Sequence, residues 1–180
     1  DISAAAPNTD FIIYNIPQLA GVALSVNLFK EMRKNPRVIG VKNSSMPVQD
    51  IQSFVNAGGE NCVVFNGPDE QFIAGRAIGA CGGIGGTYAA MPELFLKMDE
   101  LVKAGKFVEA QPIQHEVNAI IGGLCSCRGH MYAVIKKVLQ INEGLELGSV
   151  HRPMVGVTEE DMPKVEAVAA RIRAAIEKYC

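Results

Sequence analysis

In the stretch "RVIGVKNSS", the apolar or small residues Val38 to Val41 lead straight into Lys42, and small polar residues follow. A lysine there has two readings. It can reach back to water along its own stem or pair with a carboxylate. Alternatively, a site that excludes water favours the neutral amine, which attacks a carbonyl to form a Schiff base. The iminium then draws electrons and stabilises a neighbouring carbanion as an enamine. Tyr14, closing "FIIYN", is either a core aromatic with a bonded hydroxyl or a proton relay beside the lysine. Asp69 and Glu70 in "FNGPDE" either cap the helix that follows or accept hydrogen bonds from the hydroxyls of a substrate. The run "GACGGIGGTY" lacks both GxxxxGK[ST] and the G-x-G-x-x-G order, which argues against a nucleotide loop. Glycines there instead let backbone approach a ligand. His115, His130 and His151 lie elsewhere and make no metal set.

These residues share a position in a repeating pattern. Residues 8–91 alternate strand-like and helix-like segments at intervals of about 20 to 28 residues, a spacing that fits βα units. "DFIIYNIP" reads as a strand over about 10–15, "RVIGVKN" as a second, "NCVVFNG" as a third and "ACGGIGGTY" as a glycine-rich fourth strand or loop. Between them, "SVNLFKEMRKN" has Ser25 as its N-cap, "MPVQDIQSFVNAGG" has Pro47 early and Gly58 at its end, and "DEQFIAGRAIG" is a short helix. Short, continuous apolar strands of this kind are buried on both faces in a parallel sheet. The architecture is then an open doubly wound sheet or a (βα)8 barrel, of which four units make half. In either case active groups gather at the C-terminal strand ends, where Tyr14, Lys42, Asp69, Glu70 and the glycine run stand. From Pro92 onward the pattern is helical. Pro92 opens one helix, Pro112 disturbs the next, Gly144 ends a third and Thr158 caps the last. The expected division is 1–91, half a barrel, and 92–180, the last barrel helix with a helical extension.

Composition narrows the function classes. The chain has 180 residues, 48% of them hydrophobic and 20% charged, with a formal net charge of -2, which marks a globular protein. With no cluster of Lys or Arg, neither nucleic acid nor an anionic membrane surface is an expected partner. No apolar run approaches the roughly 20 residues of a membrane span. The five cysteines, at 62, 81, 125, 127 and 180, suit neither a zinc site nor a disulfide framework and read as reduced thiols of a cytoplasmic protein. "DISAAAPNTD" reads as a helix tail, a break at Pro7 and a loop. It leads to the expectation that the chain is the C-terminal part of something longer.

Four motifs in register carry a resemblance. "YNIP" at 14–17, "GVKNSS" at 40–45, "FNGPDE" at 65–70 and "GGIGGTY" at 82–88 together resemble the N-acetylneuraminate lyase / dihydrodipicolinate synthase family of class I pyruvate aldolases. The resemblance implies the C-terminal half of a (βα)8 TIM barrel, strands five to eight, followed by a helical extension, and usually a homotetramer. It implies a pyruvate imine on Lys42, proton relay by Tyr14, and no metal or organic cofactor, because the imine itself is the electron sink. Substrate contacts fall on Ser44, Gly67, Asp69, Glu70 and Gly86, and the substrate class is a small keto acid or sugar acid.

Within the family, the sialic acid-cleaving branch fits best. Its "NG-DE" turn is matched by Asn66, Gly67, Asp69 and Glu70. The arginine expected of the synthase branch after "YN-P" is replaced by Gln18, Leu19 and Ala20. One position departs: the branch's serine in "GGIGSTY" is Gly86 here. The family's "GTTGE" motif and a second tyrosine from across a subunit interface do not occur in these residues. Half a barrel would also leave strand edges and one side of its core open, so the N-terminal half of the same barrel is an expected partner. The rival readings are dihydrodipicolinate synthase or another pyruvate-dependent keto-acid aldolase and, from another class, a non-catalytic fragment or binding protein that keeps the fold.

Overall fold

The computed structural model describes residues 2–180. They fall into two compact units, one ending at Gly85 and one running from Gly86 to Cys180. The helix tail read at the start is the single turn α1, Ile2–Ala5; its first letter, Asp1, lies outside the described residues.

The first unit is a wall of four parallel strands, β1 (Phe11–Asn15), β2 (Val38–Asn43), β3 (Val63–Asn66) and β4 (Gly82–Gly83), in the spatial order β1-β2-β3-β4. Chain order equals spatial order, with no reversal of the kind that defines a doubly wound sheet. Of the two architectures left open by the βα spacing, a barrel wall is the one this order matches, as the family resemblance implied. A short helix α2, Pro17–Ala20, follows β1. The connecting helices are α3 (Val26–Met32), α4 (Val48–Gly58) and α5 (Phe72–Ala77). Ser25 caps α3, its hydroxyl accepting from the Leu28 amide at 3.1 Å.

One face of the sheet packs against helices. Val41 and Val64 join Phe29, Ile51, Phe54 and Ala80 in a closed core, with the Phe29 and Phe54 rings edge to face at 5.2 Å. Burying each such side chain contributes about 1.5–3 kcal/mol. Alternation along a strand turns the neighbours of Val41 and Val64, Lys42 and Phe65, to the opposite face. The expectation that every strand is buried on both faces needs correcting at β1. Ile12 and Tyr14 are 41% and 54% exposed. Among the described residues β1 pairs with a strand on one side only, and only its Ile13 side meets the helix core.

The second unit is helical: α6 (Pro92–Lys103), α7 (Phe107–Leu124), α8 (Met131–Glu143) and α9 (Met162–Tyr179). Buried residues recur every three or four positions, as in Ile113, Val117, Ile120 and Leu124 of α7 and Val165, Val168, Ile172 and Ala175 of α9, the mark of one apolar stripe per helix. Pro112 does not break α7. Its ring is on the exposed side, and the buried stripe, which runs past it from Ala110 to Ile113 and onward, holds the helix through one missing hydrogen bond. Ahead of α9, Thr158 and Asp161 form a reciprocal capping box. Asp161, 2% exposed, also reaches the α7–α8 loop. It accepts from the Arg128 amide at 2.7 Å and the Gly129 amide at 3.1 Å. Hydrogen bonds from the Thr158 and Arg128 amides above all lower its carboxyl to about 2. No helix among the described residues is long and apolar enough to cross a membrane.

Candidate active site

The C-terminal strand ends bring the sequence candidates of the first unit together. β1 and β2 pair so that Tyr14 stands opposite Lys42, and β2 and β3 so that Lys42 stands opposite Phe65, itself paired with Gly82. This row faces away from the helix core. Lys42 is half-buried, and its Nζ lies over the Tyr14 ring, 4.1 Å from the centroid. That is within reach of a cation–π contact and close enough for both side chains to touch one small ligand. Phe65 and the side-chain-free Gly82 continue the row as an apolar wall and an open floor.

Beyond Lys42 the backbone ladder continues into the loops. The Ser44 amide donates to the Asn15 carbonyl at 2.7 Å, Gly67 to Asn43 at 2.8 Å and Ile84 to Asn66 at 2.9 Å. This pulls Ser44 and Gly67 into contact. A Cβ on Gly67 would fall 2.1 Å from Ser44 Oγ and 2.6 Å from the Asn43 carbonyl, so only glycine fits. Asn66 donates to the Pro68 carbonyl at 2.7 Å and shapes the turn. Asp69 is buried and Glu70 exposed in the 3-10 turn Asp69–Gln71 that precedes α5. The two acids therefore have different surroundings, which the sequence reading treated as a pair.

The sequence reading missed a row of asparagines. Asn15, Asn43 and Asn66 are the last residues of their strands and stand in one register row, 4%, 0% and 0% exposed. Asn15 Nδ2 donates to Asn43 Oδ1 at 2.6 Å, Asn43 Nδ2 to Ser45 Oγ at 2.8 Å, and Ser45 Oγ to Asp50 Oδ2 at 2.6 Å. Asn15 Oδ1 accepts from the Leu24 amide at 3.0 Å. The signal was present as "YN", "KN" and "FN", three strands closing on the same amide.

Gly86 begins the second unit and lies under Tyr132 of α8. A Cβ there would stand 2.9 Å from Tyr132 Cε1, 3.0 Å from its Oη and 3.2 Å from Met131 Cε. His130 caps α8 by accepting from the Tyr132 amide at 3.2 Å; His115 and His151 are exposed. Among the described residues no group of three or more His, Cys, Asp or Glu is placed to hold a metal ion.

The chain is similar to known proteins over nearly its whole length. Residues 1–172 match the dihydrodipicolinate synthetase family. The chain is 65% identical over 178 residues to the N-acetylneuraminate lyase of Mediterraneibacter gnavus, covering 99% of this chain and 56% of that protein. Among solved structures, the wild-type sialic acid aldolase of Ruminococcus gnavus matches with a TM-score of 0.97 at 64% identity, covering 99% of this chain and 60% of that one. A structure of its catalytic lysine mutant matches with the same score. The N-acetylneuraminate lyase of Fusobacterium nucleatum complexed with pyruvate gives 0.85 at 30% identity, covering 95% and 56%. The chain thus spans somewhat more than half the length of the relatives it matches. Its four parallel strands and trailing helices correspond to the C-terminal part of their TIM barrel and its helical extension.

Proposed function

Since the chain belongs to the dihydrodipicolinate synthetase family, we propose that the whole protein is a class I aldolase that reversibly cleaves N-acetylneuraminate to N-acetylmannosamine and pyruvate. The observation that carries the reading is the Lys42 amine over the Tyr14 ring at 4.1 Å, at the C-terminal end of paired parallel strands. A 65% identical lyase, an aldolase relative with a catalytic lysine and a lyase relative that holds pyruvate support it.

In this reading the free amine of Lys42 attacks the C2 ketone of the ring-opened sugar acid, and water leaves as the imine forms. Tyr14, together with the substrate's own carboxylate, takes the proton from the C4 hydroxyl. The C3–C4 bond breaks, its electron pair moving into the iminium to leave an enamine, and N-acetylmannosamine departs as the aldehyde. Protonation of the enamine at C3 and hydrolysis of the imine release pyruvate and restore the amine. The imine is the electron sink, so the scheme calls for no metal or organic cofactor. Ser44, Gly67, Asp69, Glu70 and Gly86 are assigned to substrate binding, the turn acids to the sugar's hydroxyl tail. We read residues 1–91 as barrel strands five to eight with their helices and 92–180 as the last barrel helix and extension. The partners proposed are the rest of the same barrel, alongside β1, and identical subunits of a homotetramer, in the cytoplasm.

The test is reductive trapping. Whole protein incubated with pyruvate and borohydride gains the mass of a reduced pyruvyl imine on the peptide bearing Lys42, and N-acetylneuraminate releases pyruvate in a coupled assay. An adduct without sugar-acid cleavage redirects the reading to another keto acid; no adduct on Lys42 ends it.

A further inference from the structure

The asparagine row has one property that ordinary packing does not require. Its hydrogen bonds run in a single direction, from the Leu24 amide through Asn15, Asn43 and Ser45 to the carboxylate of Asp50. Ser45 Oγ also lies 3.1 Å from Asn43 Oδ1, but a hydroxyl has one proton, and the shorter, charge-assisted contact with Asp50 takes it. Both asparagines therefore use an acceptor oxygen and a donor nitrogen at once, a combination that aspartate lacks.

The row sits one residue beyond the reacting pair. Tyr14 precedes Asn15 and Lys42 precedes Asn43, and both pairs are opposite each other in register. The backbone closes the same junction through the Ser44 amide on the Asn15 carbonyl at 2.7 Å. Satisfied buried networks select one arrangement among those that packing alone tolerates, and a register slip would turn Lys42 to the helix side. Asn66, the third member of the row, stands outside the chain: its Nδ2 goes to the Pro68 carbonyl instead. The side-chain clamp is thus confined to the two strands that carry Tyr14 and Lys42.

We propose that Asn43, linked to Asn15 and through Ser45 to Asp50, is a positioning residue that holds the Lys42 amine against Tyr14 from the opposite face of the sheet. This rests on the imine chemistry proposed above. Asn43 touches no substrate; it sets the distance between two groups that do.

The experiment compares whole wild-type protein with Asn43→Asp, which keeps the shape but replaces the donor to Ser45 by a second acceptor. The end point of pyruvate–borohydride trapping counts competent sites, so rates are expressed per trappable lysine. Misplacing a reacting group by about 1 Å costs about 10²-fold in rate. A loss of that order is expected in kcat per site and in the initial trapping rate, with KM for N-acetylneuraminate changed by less than about threefold. Ser45→Ala, which cuts the link to Asp50 by one hydroxyl, is expected to lower kcat per site about tenfold and decides the matter if Asn43→Asp does not fold. Unchanged kcat per site in the folded variant, or a rise in KM that accounts for the whole loss, overturns the proposal. Wild-type protein that traps no pyruvate instead refutes the aldolase reading, before any variant is compared.

Discussion

Lys42 and Tyr14 face each other both in register and in side-chain contact. The strand ladder sets them opposite one another in register, and the Lys42 amine rests on the face of the Tyr14 ring at 4.1 Å from its centroid. In the proposed scheme an amine that becomes an iminium beside a phenol that moves a proton needs this proximity, and the two proposed roles can be separated. Tyr14→Phe keeps the ring and removes the hydroxyl. Pyruvate trapping on Lys42 is expected to persist, while sugar-acid cleavage falls by about 10²–10⁴, the range for loss of a positioned acid–base group. Lys42→Arg keeps a cation but removes the nucleophile, and neither trapping nor cleavage is expected. Mass spectrometry of the trapped peptide and a coupled pyruvate assay check both.

Gly67 ties the turn at 66–70 to the lysine strand β2. With a Cβ placed 2.1 Å from Ser44 Oγ, 2.6 Å from the Asn43 carbonyl and 2.8 Å from Ser44 Cα, Gly67→Ala forces the backbone of the loop to move as well as the Ser44 side chain. Overpacking of this kind costs about 1–3 kcal/mol. The expected result is a lower thermal midpoint together with a raised KM for the sugar acid, because Ser44 is displaced from its proposed contact. A variant with both values unchanged would show that the turn yields freely.

Much of this was legible in the sequence because local chemistry and fold agree. Val38 to Asn43, with Lys42 near its end and a polar turn after it, reads as a buried strand, and Ser25, Pro92 and Gly144 mark helix boundaries where the structure has them. Thr158, by contrast, caps the 3-10 turn Glu159–Asp161, and α9 begins only at Met162. The βα spacing alone fits two architectures, and it was the four motifs of the family resemblance that implied consecutive barrel strands; the pairing of β1 through β4 in chain order agrees with them. Not legible was the difference between buried Asp69 and exposed Glu70, which depends on how the turn sits against β3. Single letters hide such facts because burial is set by partners distant in sequence. The repeated terminal asparagine was visible as a pattern, but its meaning is a hydrogen-bond direction, and that exists only once the register is known.

Gly86 and Tyr132 give a coupling that can be measured. A serine at 86 would place its Cβ 2.9 Å from Tyr132 Cε1 and 3.0 Å from Oη. Tyr132 is 45% exposed, so its ring can swing outward, and the cost of Gly86→Ser is expected at the low end of overpacking, about 1 kcal/mol. Tyr132→Phe should not relieve it, because Cε1 is the nearest atom. Tyr132→Ala should, and the double variant is expected to be more stable than the sum of the single changes by at least about 0.5 kcal/mol. Denaturant midpoints of the four proteins check this, and strict additivity would mean that the tyrosine does not occupy the space above Gly86.

The acid limb of stability should report Asp161. Amides of Thr158, Arg128 and Gly129 and the Thr158 hydroxyl all donate to this nearly inaccessible carboxylate, and they lower it to about 2 in the fold, against about 3.9 in an unfolded chain. A depressed carboxyl contributes stability that is fully present above the unfolded value and is lost as pH falls through the folded one. The window is therefore about pH 4 down to about pH 2. Asp161→Asn keeps one carbonyl acceptor and gives up the charge, so it is expected to be less stable than wild type at neutral pH. Between pH 4 and 2 the two stability curves should converge, because protonation removes in the wild type what the substitution has already removed. The exposed Arg128–Glu160 ion pair lies next to Asp161 in the chain, and Glu160→Gln serves as the control, with a small effect expected, as surface pairs are worth about 0–1 kcal/mol. Denaturant unfolding at a series of pH values checks the prediction. A wild-type minus Asp161→Asn difference that stays constant down to pH 2 would mean that the carboxylate's charge contributes nothing to holding the α7–α8 loop.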